Sequence, residues 1–274
     1  TRIEQRMRVN ITGIAETDAG VKLEARIRLE ANEDDHQNPI SGRGPGAAGF
    51  AVSFGGLRVD VGNVSNVLDS GDQVDYYGYG VGFTAFLEHN AAFEGPATGF
   101  GAGSAPATTV KARYNVGDFS ASLSYKETRA QAAVAATPGS VGSAAVAADD
   151  EIQLGLGYTF GATSVGVVYS DTDTAGDYWV ANVAGSFGAL GYSLIIGDGD
   201  NHASGDIAVG GSVNYEISSA TSLRAMFSDG GDATDTAFGV GVRHDLGGGV
   251  TLAGGVGTDT AANTKADLGV SFSF

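Results

Sequence analysis

Nearly every segment of this 274-residue chain alternates apolar residues with small or polar ones. No apolar run approaches the roughly 18 residues that a membrane-crossing helix requires. The final segment shows the pattern plainly: Ala266, Leu268, Val270, Phe272 and Phe274 fall on one side, with Asp267, Gly269, Ser271 and Ser273 between them. In 151–160, Ile152, Leu154, Leu156, Tyr158 and Phe160 oppose Gln153, Gly155, Gly157 and Thr159, and 118–126 and 206–216 read the same way. A period of two gives each strand one greasy and one wet face. With 44 Gly, no Cys and a mean hydropathy of +0.01, the chain is starved of the side chains that fill a close-packed soluble core. It suits a curved wall with lipid on one side and water on the other.

The spacing predicts about fifteen strands, near 2–14, 21–32, 47–54, 57–62, 107–115, 118–126, 151–160, 163–170, 177–187, 190–197, 206–216, 221–228, 236–246, 250–257 and 265–274. Their connections alternate between tight and long. The tight ones include Gly55-Gly56, Val116-Gly117, Gly161-Ala162, Gly188-Ala189 and Gly247-Gly248-Gly249, and the long ones run through 33–46, 63–106, 127–150, 171–176, 198–205, 229–235 and 258–264. Short turns at one end and long loops at the other describe an all-β, transmembrane, antiparallel up-and-down barrel of the bacterial outer membrane. Such single-chain barrels carry an even number of strands, so sixteen are expected and one ascending strand is missing at the start. No leader-like segment precedes Thr1, so the expectation is a mature or trimmed chain. Residues 1–274 read as one barrel domain. Aromatics beside the tight turns, such as Phe54, Tyr114, Phe160 and Phe187, form a lower girdle; Tyr125, Tyr169, Trp179, Phe227 and Phe238 form an upper one.

Charge is distributed unevenly. Segment 63–106 exceeds the roughly 12–15 residues beyond which loops usually carry function. It holds Asp69, Asp72, Asp75, Glu88 and Glu94 and no Lys or Arg. The polar faces of the first two strands carry Arg2, Arg6 and Arg8, then Arg26 and Arg28, and Arg58, Lys111 and Arg113 extend this basic wall. Arginines crowded on neighbouring strands repel one another, and an acidic loop folded inward would supply their counter-charge. The expected arrangement holds the two signs apart across a passage, giving a transverse field rather than closed salt bridges.

At this point a family resemblance becomes specific. Gln5-Arg6-Met7-Arg8-Val9-Asn10-Ile11-Thr12-Gly13, followed by Glu16-Thr17-Asp18-Ala19-Gly20-Val21, resembles the second and third strands of the general diffusion porins of purple non-sulphur alphaproteobacteria. Val59-Asp60-Val61-Gly62-Asn63-Val64 with Leu68-Asp69-Ser70 resembles the entry to their third loop, and 266–274 resembles their last strand. The resemblance covers the whole chain except the family's first strand. It implies a homotrimer of sixteen-stranded barrels set among outer-membrane lipid and lipopolysaccharide. Each barrel passes small hydrophilic solutes and ions and is narrowed by its third loop. It also implies that Arg6, Arg8, Arg26 and Arg28 face acidic loop residues across the constriction, although the loop sequences themselves diverge.

Rival readings find little support. No nucleophile elbow or inward Ser/His/Asp set marks an enzyme, and Gly78-Tyr79-Gly80-Val81-Gly82 lacks the strand-to-helix context of a phosphate loop. A net charge of −17 disfavours nucleic acid. Asp198, Asp200, Asp229 and Asp232 are candidate Ca²⁺ ligands, although plain polar loops are the favoured reading, and no other cofactor is indicated. His36, His89, His202 and His244 show no ligand spacing. A non-channel outer-membrane barrel, either enzyme or adhesin, is the alternative, and a calcium-binding solenoid would need a nine-residue repeat that is not seen. Two further expectations follow from parity. Leu154→Arg and Val209→Arg are costly while Gln153→Arg and Asn214→Arg are tolerated, and Ala253–Gly257 offers a small-residue outward face for packing between barrels.

Overall fold

The computed structural model describes residues 3–32, 41–43, 48–100, 107–135, 145–200, 202 and 206–274. Arg2, His36 and parts of the loops named above lie outside the described residues. The strands are β1 (Arg6–Glu16), β2 (Lys22–Asn32), β3 (Ser41–Arg43), β4 (Gly49–Phe54), β5 (Leu57–Gly62), β6 (Ala107–Val116), β7 (Phe119–Thr128), β8 (Asp149–Phe160), β9 (Thr163–Thr172), β10 (Gly176–Phe187), β11 (Leu190–Gly199), β12 (Ala208–Glu216), β13 (Thr221–Asp229), β14 (Ala237–Gly247), β15 (Val250–Thr258) and β16 (Thr264–Phe272). Fifteen of them follow one another in a single antiparallel sheet, and the short β3 pairs with β2 off that path. A one-turn helix, α1 (Val67–Ser70), lies in the long segment.

Most strands have 9 to 12 residues, the length that crosses a bilayer core when strongly tilted. The hairpins are tight because glycine opens them: Gly117 begins the β6–β7 turn at φ 57°, a left-handed conformation that costs a side chain dearly. Burial is inverted relative to a soluble protein. On β8, Ile152, Leu154, Leu156 and Tyr158 are exposed, whereas Glu151 and Gln153 are 1% and 0% accessible. The same alternation recurs on β9 and β11, where Ser170 and Ser193 are buried beside exposed Tyr169 and Leu194. The predicted greasy faces therefore point outward. Tyr125 and Tyr169 sit on this outer face toward the long-loop end and direct their hydroxyls to Asp150 and Asp177 (2.9 and 2.8 Å), placing apolar rings below a polar tip.

The other face of the sheet is occupied by segment 63–100. Its backbone is bonded to side chains of β7, β8, β10 and β12, then of β16, and finally of β13. A sheet whose seventh and sixteenth strands touch the same segment is strongly curved around it. β1 and β16 end the strand order, and they do not pair with each other among the described residues.

The largest apolar cluster is formed between this segment and the wall. Val67, Leu68, Val74, Tyr76, Ala92 and Phe93 pack on Val168, Tyr178, Val180, Ile195 and Ala208. Those five wall residues break the polar-inside rule where the segment covers them. Glycines let the segment lie flush: a Cβ at Gly166 would sit 1.8 Å from Gln73 O, and one at Gly210 would sit 1.9 Å from His89 O. Two expectations are corrected here. Ala253, Gly255 and Gly257 face inward, the two glycines against Val81 and Leu87, so only Gly254 and Val256 of that stretch face outward. Gln153 is not an open lumen position, because its side chain is fully buried under the segment.

Candidate functional site

The register places the seven predicted cations on one face. Arg8 pairs with Glu30, Thr12 with Arg26 and Asn10 with Arg28 across β1 and β2; Arg58 pairs with Arg113 and Asp60 with Lys111 across β5 and β6. Lys111 lies opposite Ser124, which in turn lies opposite Gln153, so the basic wall shares the face on which segment 63–100 is seated.

Several of these cations are neutralised within the wall itself. Arg8 Nε donates to Glu30 at 2.7 Å. Arg58 bonds Asp60 at 2.8 Å and reaches Glu24 at 3.4 Å. Arg28 donates to Asn10 Oδ1 at 3.0 Å and to the Phe100 carbonyl at 2.7 Å. The guanidinium of Arg26 lies 3.6 Å from the centre of the Phe100 ring, and that of Arg28 lies 4.8 Å from it. One aromatic ring thus lies against two like charges. The side chains of Arg26 and Arg6 make no hydrogen bond or ion pair among the described residues.

Of the five loop carboxylates, Asp72 meets the wall. It bonds Lys111 Nζ at 3.0 Å and also Arg113. Burial would push its carboxyl up, but Lys111 and Arg113 outweigh burial and hold it below the usual range. Asp69 accepts from the Tyr77 hydroxyl at 2.9 Å, and burial together with that carboxylate pushes the phenol up. Asp75 caps Gly78 N–H at 3.0 Å. Glu88 is pushed up to about 7, first by burial and then by Asp75. Glu94 is exposed beside Asp232, and burial with that like charge raises it. At Asp72 the charges are joined in a closed bridge rather than held apart.

Residues that parity alone did not single out fix the segment. Gln153 accepts from Leu68 N–H at 2.9 Å and donates to Pro96 O at 2.9 Å. Glu151 binds Asn66 at 2.8 Å and Lys126 at 2.6 Å. Farther round, Ser212 accepts from Tyr79 N–H, Ser228 from Ala92 N–H, and Asp267 from the amides of Phe83 and Thr84, all at 2.8 to 2.9 Å. His89 is wholly buried, with Nε2 within 3.1 Å of the Asp75 and Tyr76 carbonyls and Nδ1 at 3.2 Å from Ser212 Oγ. Two carbonyls fix the proton on Nε2, and burial holds the ring's pKa down, so it is neutral.

The candidate calcium residues do not assemble. Asp198 and Asp229 accept from the next residue's amide, and Asp200 accepts from Asp177 N–H. No group of three or more Asp, Glu or His that could hold a metal occurs among the described residues. Among the described residues no helix is long and apolar enough to cross a membrane, which says nothing of crossing by strands.

An antiparallel sheet with lipid-facing apolar side chains, curved round an inward segment on a charged wall, defines an outer-membrane β-barrel channel. The chain belongs to the Gram-negative porin family, whose model it matches over residues 1–264. It is 30% identical to a porin of Fuscovulum blasticum over all of this chain and 92% of that protein. A triple mutant of the Rhodopseudomonas blastica porin superposes with a TM-score of 0.75 at 25% identity, covering 98% of this chain and 90% of the other. A second mutant of the Rh. blastica porin gives 0.73 at 26% identity, with the same coverage. The protein is thus a channel for passive diffusion across the outer membrane of a Gram-negative bacterium, and not an enzyme.

Proposed function

We propose that segment 63–106 is the constriction loop of a single barrel domain, and that it sets selectivity by facing the basic wall. The wall comprises Arg6, Arg8, Arg26, Arg28, Arg58, Lys111 and Arg113, and the loop side comprises Asp69, Asp72, Asp75, Glu88 and Glu94. The observation that carries this reading is Asp72, a loop carboxylate in contact with Lys111 and Arg113 of the wall. That bridge pins one end of the loop to the basic side. The remaining carboxylates leave a field across the passage that aligns dipolar solutes and excludes apolar ones, which would disrupt ordered water. Small hydrophilic solutes and ions are the permeants.

Changing all five carboxylates to Asn or Gln should shift the reversal potential in a salt gradient toward anion selectivity. The shift should shrink near 1 M salt, where the Debye length is about 3 Å. Replacing Arg6, Arg8, Arg26 and Arg28 should move selectivity the other way and admit larger sugars. Unchanged selectivity in the five-carboxylate variant would overturn the reading.

The working unit in this reading is a homotrimer embedded among lipid and lipopolysaccharide. It is supported by family membership and by an apolar dent of about 240 Å³ on the outer wall, formed where Gly254 lies between Val242, Leu252 and Leu268. Single-channel steps occurring in threes would support it, and a single-chain mass after gentle detergent extraction would remove it.

A further inference from the structure

We infer that the root of the constriction loop forms a binding site for a small dianion with oxygen donors, of the phosphate or dicarboxylate type, centred on Arg26. A cavity of about 320 Å³ opens there between the loop and the basic wall, lined by Arg26, Arg58, Lys111 and Arg113, by Asp60 and Asp72, and by Ser65 and Ser70. Arg28 lies against the same Phe100 ring and Arg58 also reaches Glu24, so five cations face three carboxylates and the two positive charges in excess match one dianion.

The three carboxylates are already committed. Asp60 and Glu24 are held by Arg58, and Asp72 by Lys111 and Arg113, so none supplies Arg26. The Arg26 guanidinium carbon lies over the Phe100 ring. The side-chain N–H groups of Arg26 have no hydrogen-bond or ion-pair partner among the described residues, and a guanidinium fork matches two oxygens of one anion side by side. Ser65 Oγ accepts from Phe100 N–H at 3.2 Å, which leaves its hydroxyl proton available as a further donor. Phe100 thus contacts Arg26 through its ring and Ser65 through its amide, and both of these residues line the cavity. An anion crossing the lumen would pause here rather than merely feel the field. This inference uses the same wall as the selectivity reading but is separable from it, because a field acts on every ion whereas a site saturates.

The test is single-channel recording of the full chain in phosphatidylcholine bilayers, with potassium phosphate and potassium succinate each titrated beside KCl. Conductance in phosphate or succinate should level off with concentration, with half-saturation on the order of 1 mM as befits a weak site, while KCl conductance continues to rise. Arg26→Gln should raise the half-saturation about tenfold or abolish saturation, and Phe100→Leu should raise it about twofold or more. Arg129, just past the end of β7, is exposed, pairs with Glu127 and does not line the cavity, so Arg129→Gln removes one cation and should leave the saturation in place. Conductance that rises in proportion to concentration for both anions, or saturation that survives Arg26→Gln, overturns the site. If no KCl steps appear at all, it is the channel reading that fails. The site is then decided by phosphorus NMR on detergent-extracted protein: a saturable broadening of the phosphate line that succinate displaces supports it, and no broadening overturns it.

Discussion

Replacing Gln153 by Leu should loosen the constriction loop without breaching the wall. The side chain is fully buried and joins two loop groups to β8, accepting from Leu68 N–H and donating to Pro96 O. Pro96 O keeps a second donor, Asn66 Nδ2 at 2.6 Å, so its loss is partial. Leu68 N–H keeps none, in a residue that is itself fully buried. A buried amide left without an acceptor costs about 1–3 kcal/mol. Leu at 153 fills similar volume, so little cavity cost adds to this figure. At about 1.4 kcal/mol per decade, the unseated loop becomes about 5- to 150-fold more populated. Amide exchange followed by mass spectrometry should speed up by that factor over 66–76 while the amides of β8 and β9 keep their protection, and open-channel noise should rise. Exchange over 66–76 indistinguishable from wild type would refute the argument that Gln153 seats the loop.

Four further outcomes follow from the same geometry. Leu154→Arg, on the lipid face, should cost about 2–4 kcal/mol near the bilayer midplane in urea unfolding from lipid vesicles; an effect no larger than that of an exposed loop substitution would invert the inside–outside assignment. Glu88 binds a proton more readily folded than unfolded, so between about 4.5 and 7 its contribution to stability falls as pH rises. Cation selectivity should increase as pH passes through about 7, and Glu88→Gln should remove that step. Asp72 has the opposite sign: its folded pKa is depressed, so its contribution is complete above the ordinary carboxylate range and fades as pH falls through the folded value. Acidification should therefore release the loop root and raise channel noise, and Asp72→Asn should be noisy at every pH.

The strands were legible because two local signals agree. Alternation fixes which residues share a face, and turn glycines such as Gly117 and Gly161 punctuate the runs, so predicted and observed strands differ mainly by a few terminal residues. Half of the basic wall was legible for the same reason, since hairpin register carries Arg8 to Glu30 without any long-range information, whereas Arg58 meets Arg113 only through pairing across the long segment 63–106. What parity does not reveal is what an inward face touches. Gln153 reads as a wet lumen residue until a segment more than fifty positions earlier in the chain is laid over it. Phe100 and Asp267 acquire roles only through such non-local contacts. One signal was available. Val168, Val180 and Ile195 are apolar at inward positions, and these exceptions to alternation trace the footprint of the loop.

The central claim is that residues seated on the inner wall narrow the channel, and deleting 75–99 tests it most directly. The shortened protein keeps every strand, and its folded state can be checked by resistance to mild denaturation on a gel. Single-channel conductance in KCl should increase and sugars excluded by the full chain should enter in liposome-swelling assays. A folded variant with the conductance and size cutoff of the full chain would place the loop outside the conducting path and contradict the account.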